Sequence, residues 1–172
     1  MLRSVLPRAI LAAVLTTVSA AYANAQQFQA TLSGFDEDPL LLVSTGVGTL
    51  RVTLNRQQQS LTYTLEYSDL LAPVLQAHIH LGRSSQSGGI SVFLCTNLGN
   101  GPAGTPACPA SGPVSGMLTP ASVIGPSAQG IEAGEFDKLA EALLANATYG
   151  NVHSQRFPGG EIRGALRLPQ DK

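Results

Sequence analysis

Apolar and polar residues alternate one by one along three stretches of the chain, and this period of two is typical of β-strands. In each stretch every second residue is apolar, so we expect one face of the strand to be buried and the other to be polar. The second and third stretches are separated by residues 55–59, a connection short enough for a hairpin. The three stretches are residues 28–33, 50–54 and 61–67.

One segment has helical spacing instead. Counting from Phe136, its apolar residues recur at i, i+3, i+4, i+7 and i+8, which predicts a short amphipathic helix that ends near Asn146. Many short strands with a single helix indicate an all-β fold, namely a single antiparallel β-sandwich or partly closed barrel with one short helix. Further strands are predicted at residues 74–81, 89–94, 114–118, 149–153 and 161–168, with loops at 97–112 and 119–134.

The first 25 residues have the pattern of a cleavable signal peptide. Arg3 and Arg8 give a basic start, an apolar run covers residues 9–18, and Ala23-Asn24-Ala25 is a small-residue cleavage site. The apolar run is too short to span a bilayer, which takes about 20 residues. We therefore expect two parts, a signal peptide at 1–25 and one β domain at 26–172, and a periplasmic or secreted protein without a membrane span once the signal is removed.

The charge of the chain argues against nucleic acid as a partner. Charged residues make up only 12% of the sequence and form no basic stripe, and without Arg3 and Arg8 there are 8 Lys and Arg against 11 Asp and Glu. The acidic residues Asp36, Glu37 and Asp38 lack the ligand spacing of a known calcium loop, so a solvated turn is expected there.

Two cysteines, Cys95 and Cys108, are the only ones in the sequence. An even count in an exported chain predicts a disulfide, because oxidising compartments form and keep such bonds. The alternative is a pair of metal-ligating thiols, which the export signal and the flexible loop between the two residues disfavour. A bridge across this loop would contribute about 3 kcal/mol on the chain-entropy model.

Three histidines, His78, His80 and His153, fall in two of the predicted strands. His78 and His80 are two residues apart, so their imidazoles lie on one face of an extended strand. If the strand that contains His153 is a neighbour, all three imidazoles converge and can bind one zinc or copper ion with an open fourth position. The alternative is a structural one, in which the histidines only form hydrogen bonds with neighbouring strands.

Glu161 and Arg163 share the polar face of the last predicted strand. A carboxylate at Glu161 can accept the proton of an imidazole Nδ1–H and so orient a metal-binding histidine. Arg163 lies beside Glu161 in the same supporting position. Equally, both residues can form cross-strand ion pairs that fix the register of the sheet.

Several of these segments together resemble the chordin-type (CHRD) domain family, over residues 28 to about 168. The resemblance implies a β-sandwich-like module found in extracellular developmental antagonists and in exported microbial proteins, and it leaves the activity open. The segments that carry it are Ala77-His78-Ile79-His80-Leu81-Gly82, Gly88-Gly89, Tyr149-Gly150-Asn151-Val152-His153-Ser154, Pro158-Gly159-Gly160-Glu161-Ile162-Arg163-Gly164 and Ala30-Thr31-Leu32-Ser33-Gly34.

Common enzyme motifs are missing from the sequence. It contains neither a Gly-x-Ser-x-Gly elbow nor a phosphate-binding glycine loop with lysine, which favours a binding function over catalysis. Two hypotheses follow. The domain either binds copper or zinc through His78, His80 and His153, or it binds another extracellular protein or a surface polymer and its histidines are structural.

Overall fold

The structure is a computed structural model and describes residues 25–169, which form eight β-strands, one α-helix and three short 3-10 turns. The expected signal peptide lies outside the described residues except for Ala25, at which the first strand begins. The strands and the helix are β1 (Ala25–Ser33), β2 (Val47–Asn55), β3 (Ser60–Ser68), β4 (Val74–Leu81), β5 (Ile90–Thr96), β6 (Gly112–Leu118), α1 (Phe136–Leu144), β7 (Thr148–Ser154) and β8 (Ile162–Ala165).

All eight strands belong to one antiparallel sheet in the order β5-β4-β7-β8-β1-β2-β3-β6. The sheet curls until its two ends, β5 and β6, come into contact. The hydroxyl of Tyr63 on β3 spans this opening and donates to the carbonyl oxygen of Leu94 on β5 at 2.5 Å. The expected fold class is confirmed, since the chain forms a nearly closed antiparallel barrel with a single helix among the described residues.

The predicted disulfide is confirmed. Cys95 on β5 is bonded to Cys108 in the connection between β5 and β6, with an Sγ–Sγ distance of 2.01 Å. Asn97 supports the same connection, because its side-chain Nδ2 donates to the carbonyl oxygens of Val74 and Cys108 at 3.1 Å. The bond therefore ties the chain down where the barrel closes.

The apolar residues of the alternating strands form the core. Three buried residues lie side by side as register partners, namely Phe28 on β1, Val52 on β2 and Tyr63 on β3. The residues that precede and follow each of them in its strand face outward. The predicted helix is also confirmed, and α1 adds Phe136 and Leu139 to the same core. Each fully buried side chain of this kind stabilises the fold by about 1.5–3 kcal/mol. Within residues 25–169, no helix has both the length and the apolar character needed to cross a membrane.

The strands β4, β5, β7 and β8 are buried on both faces. All seven residues of β7 are buried, including the polar ones that the alternation places on the outward face. Both distant and nearby loops cover this face, because Glu37 binds Asn151 on β7 across 114 positions, while the Gly88 and Pro158 carbonyls bind histidines eight and five residues away. A layer of polar side chains is thus enclosed between the barrel and its loops.

Candidate metal centre

The strands β4 and β7 are neighbours in the sheet, and this pairing brings the three histidines together. In the register, Gln76 lies opposite His153 and His78 lies opposite Asn151, while His80 is one pleat further along β4. The ring centroids of His78 and His153 are 4.9 Å apart, and those of His78 and His80 are 5.4 Å apart. We call these three residues the histidine cluster.

Hydrogen bonds to backbone carbonyls orient two of the imidazoles. The Nδ1 of His80 lies 3.0 Å from the carbonyl oxygen of Gly88, and the Nδ1 of His153 lies 3.0 Å from that of Pro158. A carbonyl oxygen can only accept, so Nδ1 carries the proton in both rings and Nε2 keeps its lone pair. The Nε2 of His153 lies 3.1 Å from the Nδ1 of His78.

These nitrogens match the spacing that one metal ion requires. Two nitrogens bound to a tetrahedral zinc ion at about 2.0–2.1 Å lie about 3.3 Å apart, close to the 3.1 Å between His78 Nδ1 and His153 Nε2. One ligand atom from each of the three histidines lies within 4.8 Å of the others. The Nε2 of His80 is buried and has no hydrogen-bond partner in the structure. The residues therefore fit a bound ion.

The donor set also restricts the ion. In the described part of the chain, the cluster consists of three imidazoles, with no carboxylate or thiolate in the group. Imidazole nitrogen suits zinc and copper, whereas calcium and magnesium prefer oxygen ligands. Copper(II) binds a given nitrogen site more tightly than zinc does.

Burial keeps the cluster neutral. The histidines are between 0% and 7% exposed, and loss of hydration is the main cause that lowers the pKa of His78 to about 2 and the pKa of His80 and of His153 to about 4. Repulsion from the neighbouring imidazoles lowers the pKa of His78 further. Neutral imidazole is the form that binds metal, so at neutral pH an ion displaces no proton from Nε2 of His80 or His153. His78 faces the lone pair of His153 Nε2 with Nδ1, so its proton has to move to Nε2 before Nδ1 can bind.

Aromatic side chains enclose the cluster. The ring of His80 stacks on that of Tyr149 with centroids 4.9 Å apart and an interplanar angle of 6°. The ring of His78 meets Phe93 of β5 edge to face at 4.3 Å. These contacts restrict the rotation of both imidazoles and exclude water from their far sides.

Glu161 lies just before β8, and its hydrogen bonds go elsewhere. Its Oε1 accepts from the hydroxyl of Ser44 and from the backbone N–H of Leu71, both at 2.6 Å. The acceptors for the imidazole N–H groups are the carbonyls of Gly88 and Pro158 rather than a carboxylate. Through these contacts, Glu161 ties the β1–β2 connection, which contains Ser44, to the β3–β4 connection, which contains Leu71.

Arg163 is buried beside the cluster. Its guanidinium carbon lies 3.6 Å from the ring centroid of Tyr149, the same ring on which His80 stacks. Among the described residues, the carboxylate nearest to the Arg163 guanidinium is that of Asp38, with Oδ2 4.0 Å from Nη1. The structure thus places one aromatic ring between Arg163 and a histidine of the cluster.

The acidic stretch differs from the solvated turn that we expected. Asp36 is exposed, but Glu37 is 8% exposed, and both of its carboxylate oxygens accept from Asn151 Nδ2, at 3.0 and 3.2 Å. Burial raises the pKa of Glu37 to about 7. The carboxylate of Asp38 accepts from the backbone N–H and the hydroxyl of Ser87. These carboxylates hold a loop over the sheet, a role that local sequence does not reveal.

Sequence reasoning missed the groups that orient the imidazoles. Gly88 and Pro158 act through backbone carbonyls, which have no side-chain signature. The available signal was positional, since glycine-rich turns follow the strands of His80 and His153 within eight residues. Tyr149 and Phe93 follow from the alternation, because both lie on the outward face of strands next to β4.

Comparison with known proteins identifies the family. The model of the CHRD domain matches residues 28–166, from the first strand to just beyond the last. The chain belongs to the CHRD domain family. This match covers most of the chain and includes the whole histidine cluster, so the resemblance expected from the sequence is confirmed. No curated protein and no solved structure matches this CHRD domain significantly.

Proposed function

We propose that this CHRD domain binds one copper or zinc ion through His78 Nδ1, His80 Nε2 and His153 Nε2. The observation that carries the proposal is the convergence of three buried, neutral imidazoles whose ligand atoms lie within 4.8 Å of one another. Protein ligands normally donate their second ring N–H to an outer acceptor, as His80 and His153 do.

We further propose that the domain works outside the cytoplasm after removal of a signal peptide at residues 1–25. The Cys95–Cys108 disulfide supports this location, because reducing compartments disfavour such bonds. Three protein ligands leave a position open for water or another small molecule.

The burial of the cluster sets the pH range over which the ion stays bound. An ordinary imidazole, with a pKa of about 6.5, would lose metal as the pH falls through that value. In the folded domain, His80 and His153 have pKa values of about 4, so protons compete with the ion only at lower pH. We therefore expect metal to stay bound at pH 5.5.

Metal analysis of the protein from its native compartment, followed by calorimetric titration of the stripped protein with copper(II) and with zinc(II), tests the proposal. Intact mass of the same sample reports where the mature chain begins. We expect one ion per chain. His80→Ala and His153→Ala should each weaken binding by more than the roughly 10–100-fold that loss of an outer hydrogen bond costs. The double variant should add little to either single change.

A matched control lies on the other half of the sheet. Gln57 is exposed in the hairpin between β2 and β3, whereas the cluster lies on β4 and β7. Gln57→Ala should leave the affinity unchanged. The proposal is wrong if the wild type takes up no copper or zinc at micromolar concentration, or if the histidine variants bind as tightly as the control.

An interaction function is the second candidate, and one observation favours it. The loop between β1 and β2 exposes Leu40, Leu41 and Val43 to between 71% and 85%, which is unusual for large apolar side chains grouped together. Another extracellular protein or a surface polymer could use this loop. The calorimetric titration separates the two candidates, since the interaction function predicts that copper(II) and zinc(II) bind weakly and without fixed stoichiometry.

A further inference from the structure

Arg163 is the largest fully buried side chain of the described residues, with 1% of its surface exposed. Burial of a guanidinium is costly unless partners replace its hydration. One of its terminal nitrogens, Nη2, donates to the carbonyl oxygens of Arg83 and Gln86, at 2.7 and 2.8 Å. The other, Nη1, lies 4.0 Å from Asp38. The guanidinium is thus hydrogen-bonded mainly to backbone carbonyls of one loop.

That loop, residues 82–89 between β4 and β5, also contains the carbonyl that orients His80. Gly88 accepts from His80 Nδ1 at 3.0 Å, and its own N–H donates to the hydroxyl of Tyr149 at 3.1 Å. A carbonyl in a loop holds an imidazole in place only if the loop itself is fixed. Arg163 on β8 fixes the loop through its hydrogen bonds to the two carbonyls named above, and Tyr149 on β7 fixes it through the N–H of Gly88.

The ring of Tyr149 connects the two residues directly as well. Arg163 lies over this ring at 3.6 Å, and His80 stacks on it at 4.9 Å. Because β7 runs between β4 and β8, the guanidinium and the imidazole lie on opposite sides of the ring. Arg163, Tyr149 and His80 therefore form a stack across three neighbouring strands.

We propose that Arg163 is a positioning residue of the metal centre: it holds the 82–89 loop and the Tyr149 ring so that His80 presents Nε2 to the ion. This inference rests on the proposed metal-binding function. The two carbonyls and the aromatic ring require a planar group that donates in its plane and stacks on its face. Arginine has this geometry and lysine does not.

The consequence differs between the histidines. When the loop is released, the Gly88 carbonyl no longer fixes the proton on Nδ1 of His80, and the ring also populates the tautomer that carries the proton on Nε2. His153 depends on the carbonyl of Pro158, which lies on another loop, so its tautomer should not change. Loss of an orienting partner of this kind lowers metal affinity about 10–100-fold.

The test compares Arg163→Lys with Arg156→Lys, an exposed arginine 5.4 Å from the ring of Phe157. Nitrogen-15 NMR of the metal-free full chain reports the tautomer of each imidazole, and competition titration reports the affinity for copper(II) and zinc(II). In Arg163→Lys we expect a mixed tautomer at His80, an unchanged one at His153 and about 10–100-fold weaker binding. Arg156→Lys should match the wild type in all three.

Tyr149→Phe is a second variant, in case the arginine variant does not fold. It keeps the stacked ring and removes only the hydroxyl that binds Gly88, so the same change at His80 should appear with a smaller loss of affinity. A single Nδ1–H tautomer at His80 in a folded variant would overturn the inference. So would equal tautomer changes at both histidines. A wild type that takes up no metal refutes the proposed function, while the tautomers still show whether Arg163 positions His80.

Discussion

Gly164 on β8 lies where the structure leaves no room for a side chain. A Cβ built at this position would lie 2.0 Å from the carbonyl oxygen of Thr31 on β1 and 2.9 Å from Cδ2 of Leu32. The first neighbour is backbone, so it cannot rotate away as a side chain can. To reach even 3.0 Å, below which real Cβ contacts essentially never occur, β8 would have to move by about 1 Å.

The position matters because β8 and β1 join the two halves of the sheet, β5-β4-β7-β8 and β1-β2-β3-β6. Their pairing is sparse. It consists of the register pair Ser33 and Arg163 and of an isolated bridge in which Gln29 and Arg167 exchange hydrogen bonds of 2.8 and 3.0 Å. A shift of about 1 Å strains both contacts. Overpacking of this kind costs about 1–3 kcal/mol.

We therefore expect Gly164→Ala to lower the free energy of unfolding by about 1–3 kcal/mol, and the melting temperature by about 3–9 °C for a domain of this size. Thermal and urea unfolding measure both quantities. Gly159→Ala is the matched control, because a Cβ there meets nothing within 4 Å. Gly150→Ala should fall between them, since its Cβ would meet a methyl group of Leu50 that can move. Equal melting temperatures for Gly164→Ala and Gly159→Ala would refute the reasoning.

The remaining predictions concern pH. The folded-state pKa values of the histidine cluster lie below that of unfolded histidine, about 6.5, so the unfolded chain binds more protons and the metal-free domain should lose stability as the pH falls from about 6.5 to about 4. Each histidine contributes at most about 1.4 kcal/mol per pH unit; urea midpoints between pH 7 and 4.5 measure the total, and a flat profile contradicts the prediction. Glu37 acts in the opposite sense, because its pKa is raised from 4.5 to about 7 and its ionisation destabilises the fold as the pH rises through that range. The change in the free energy of unfolding caused by Glu37→Gln should accordingly be more stabilising at pH 8 than at pH 5 by about 1–3 kcal/mol. A change that is independent of pH would contradict this.

The sequence was most informative where strands have one solvated face. In β1, residues alternate between buried and exposed as the apolar pattern does, and β2 and β3 follow the same rule. The helix was predicted equally well, because its apolar stripe has the period of 3.6 and the charged residues Asp137, Lys138 and Glu141 on its other side are exposed. In these elements, local pattern and tertiary environment coincide.

The strands around the histidine cluster are buried on both faces, and the alternation in their sequences does not show this. On β7 the outward residues Tyr149, Asn151 and His153 are polar or partly polar, which indicates a solvated face, yet all three are buried. Tyr149 and Asn151 are covered by loops more than 60 residues away in sequence, such as that of Glu37, which binds Asn151 across 114 positions. His153 is covered by the loop of Pro158, five residues along the chain. Only the folded chain shows which polar residues are enclosed.

The convergence of the three histidines was predictable from the sequence, and the groups that orient their rings were not. The spacing of His78 and His80 fixes their common face, and His153 joins them because β4 and β7 pair. The orienting groups are backbone carbonyls, whose positions depend on loop conformation, and Glu161 turned out to bind Ser44 and Leu71. Side-chain chemistry can be read from sequence, whereas the direction of a carbonyl cannot.

Enclosing the histidine cluster lowers the free energy of unfolding of the metal-free domain. The Nε2 atoms of His78 and His80 are both buried without a hydrogen-bond partner, and each such group costs about 1–3 kcal/mol. The core-facing residues of the same strands, Ala77, Ile79 and Val152, alternate with the histidines and belong to the apolar core. An ion bound by the cluster would satisfy a buried nitrogen lone pair and offset this cost, so metal should stabilise the wild type and not His80→Ala.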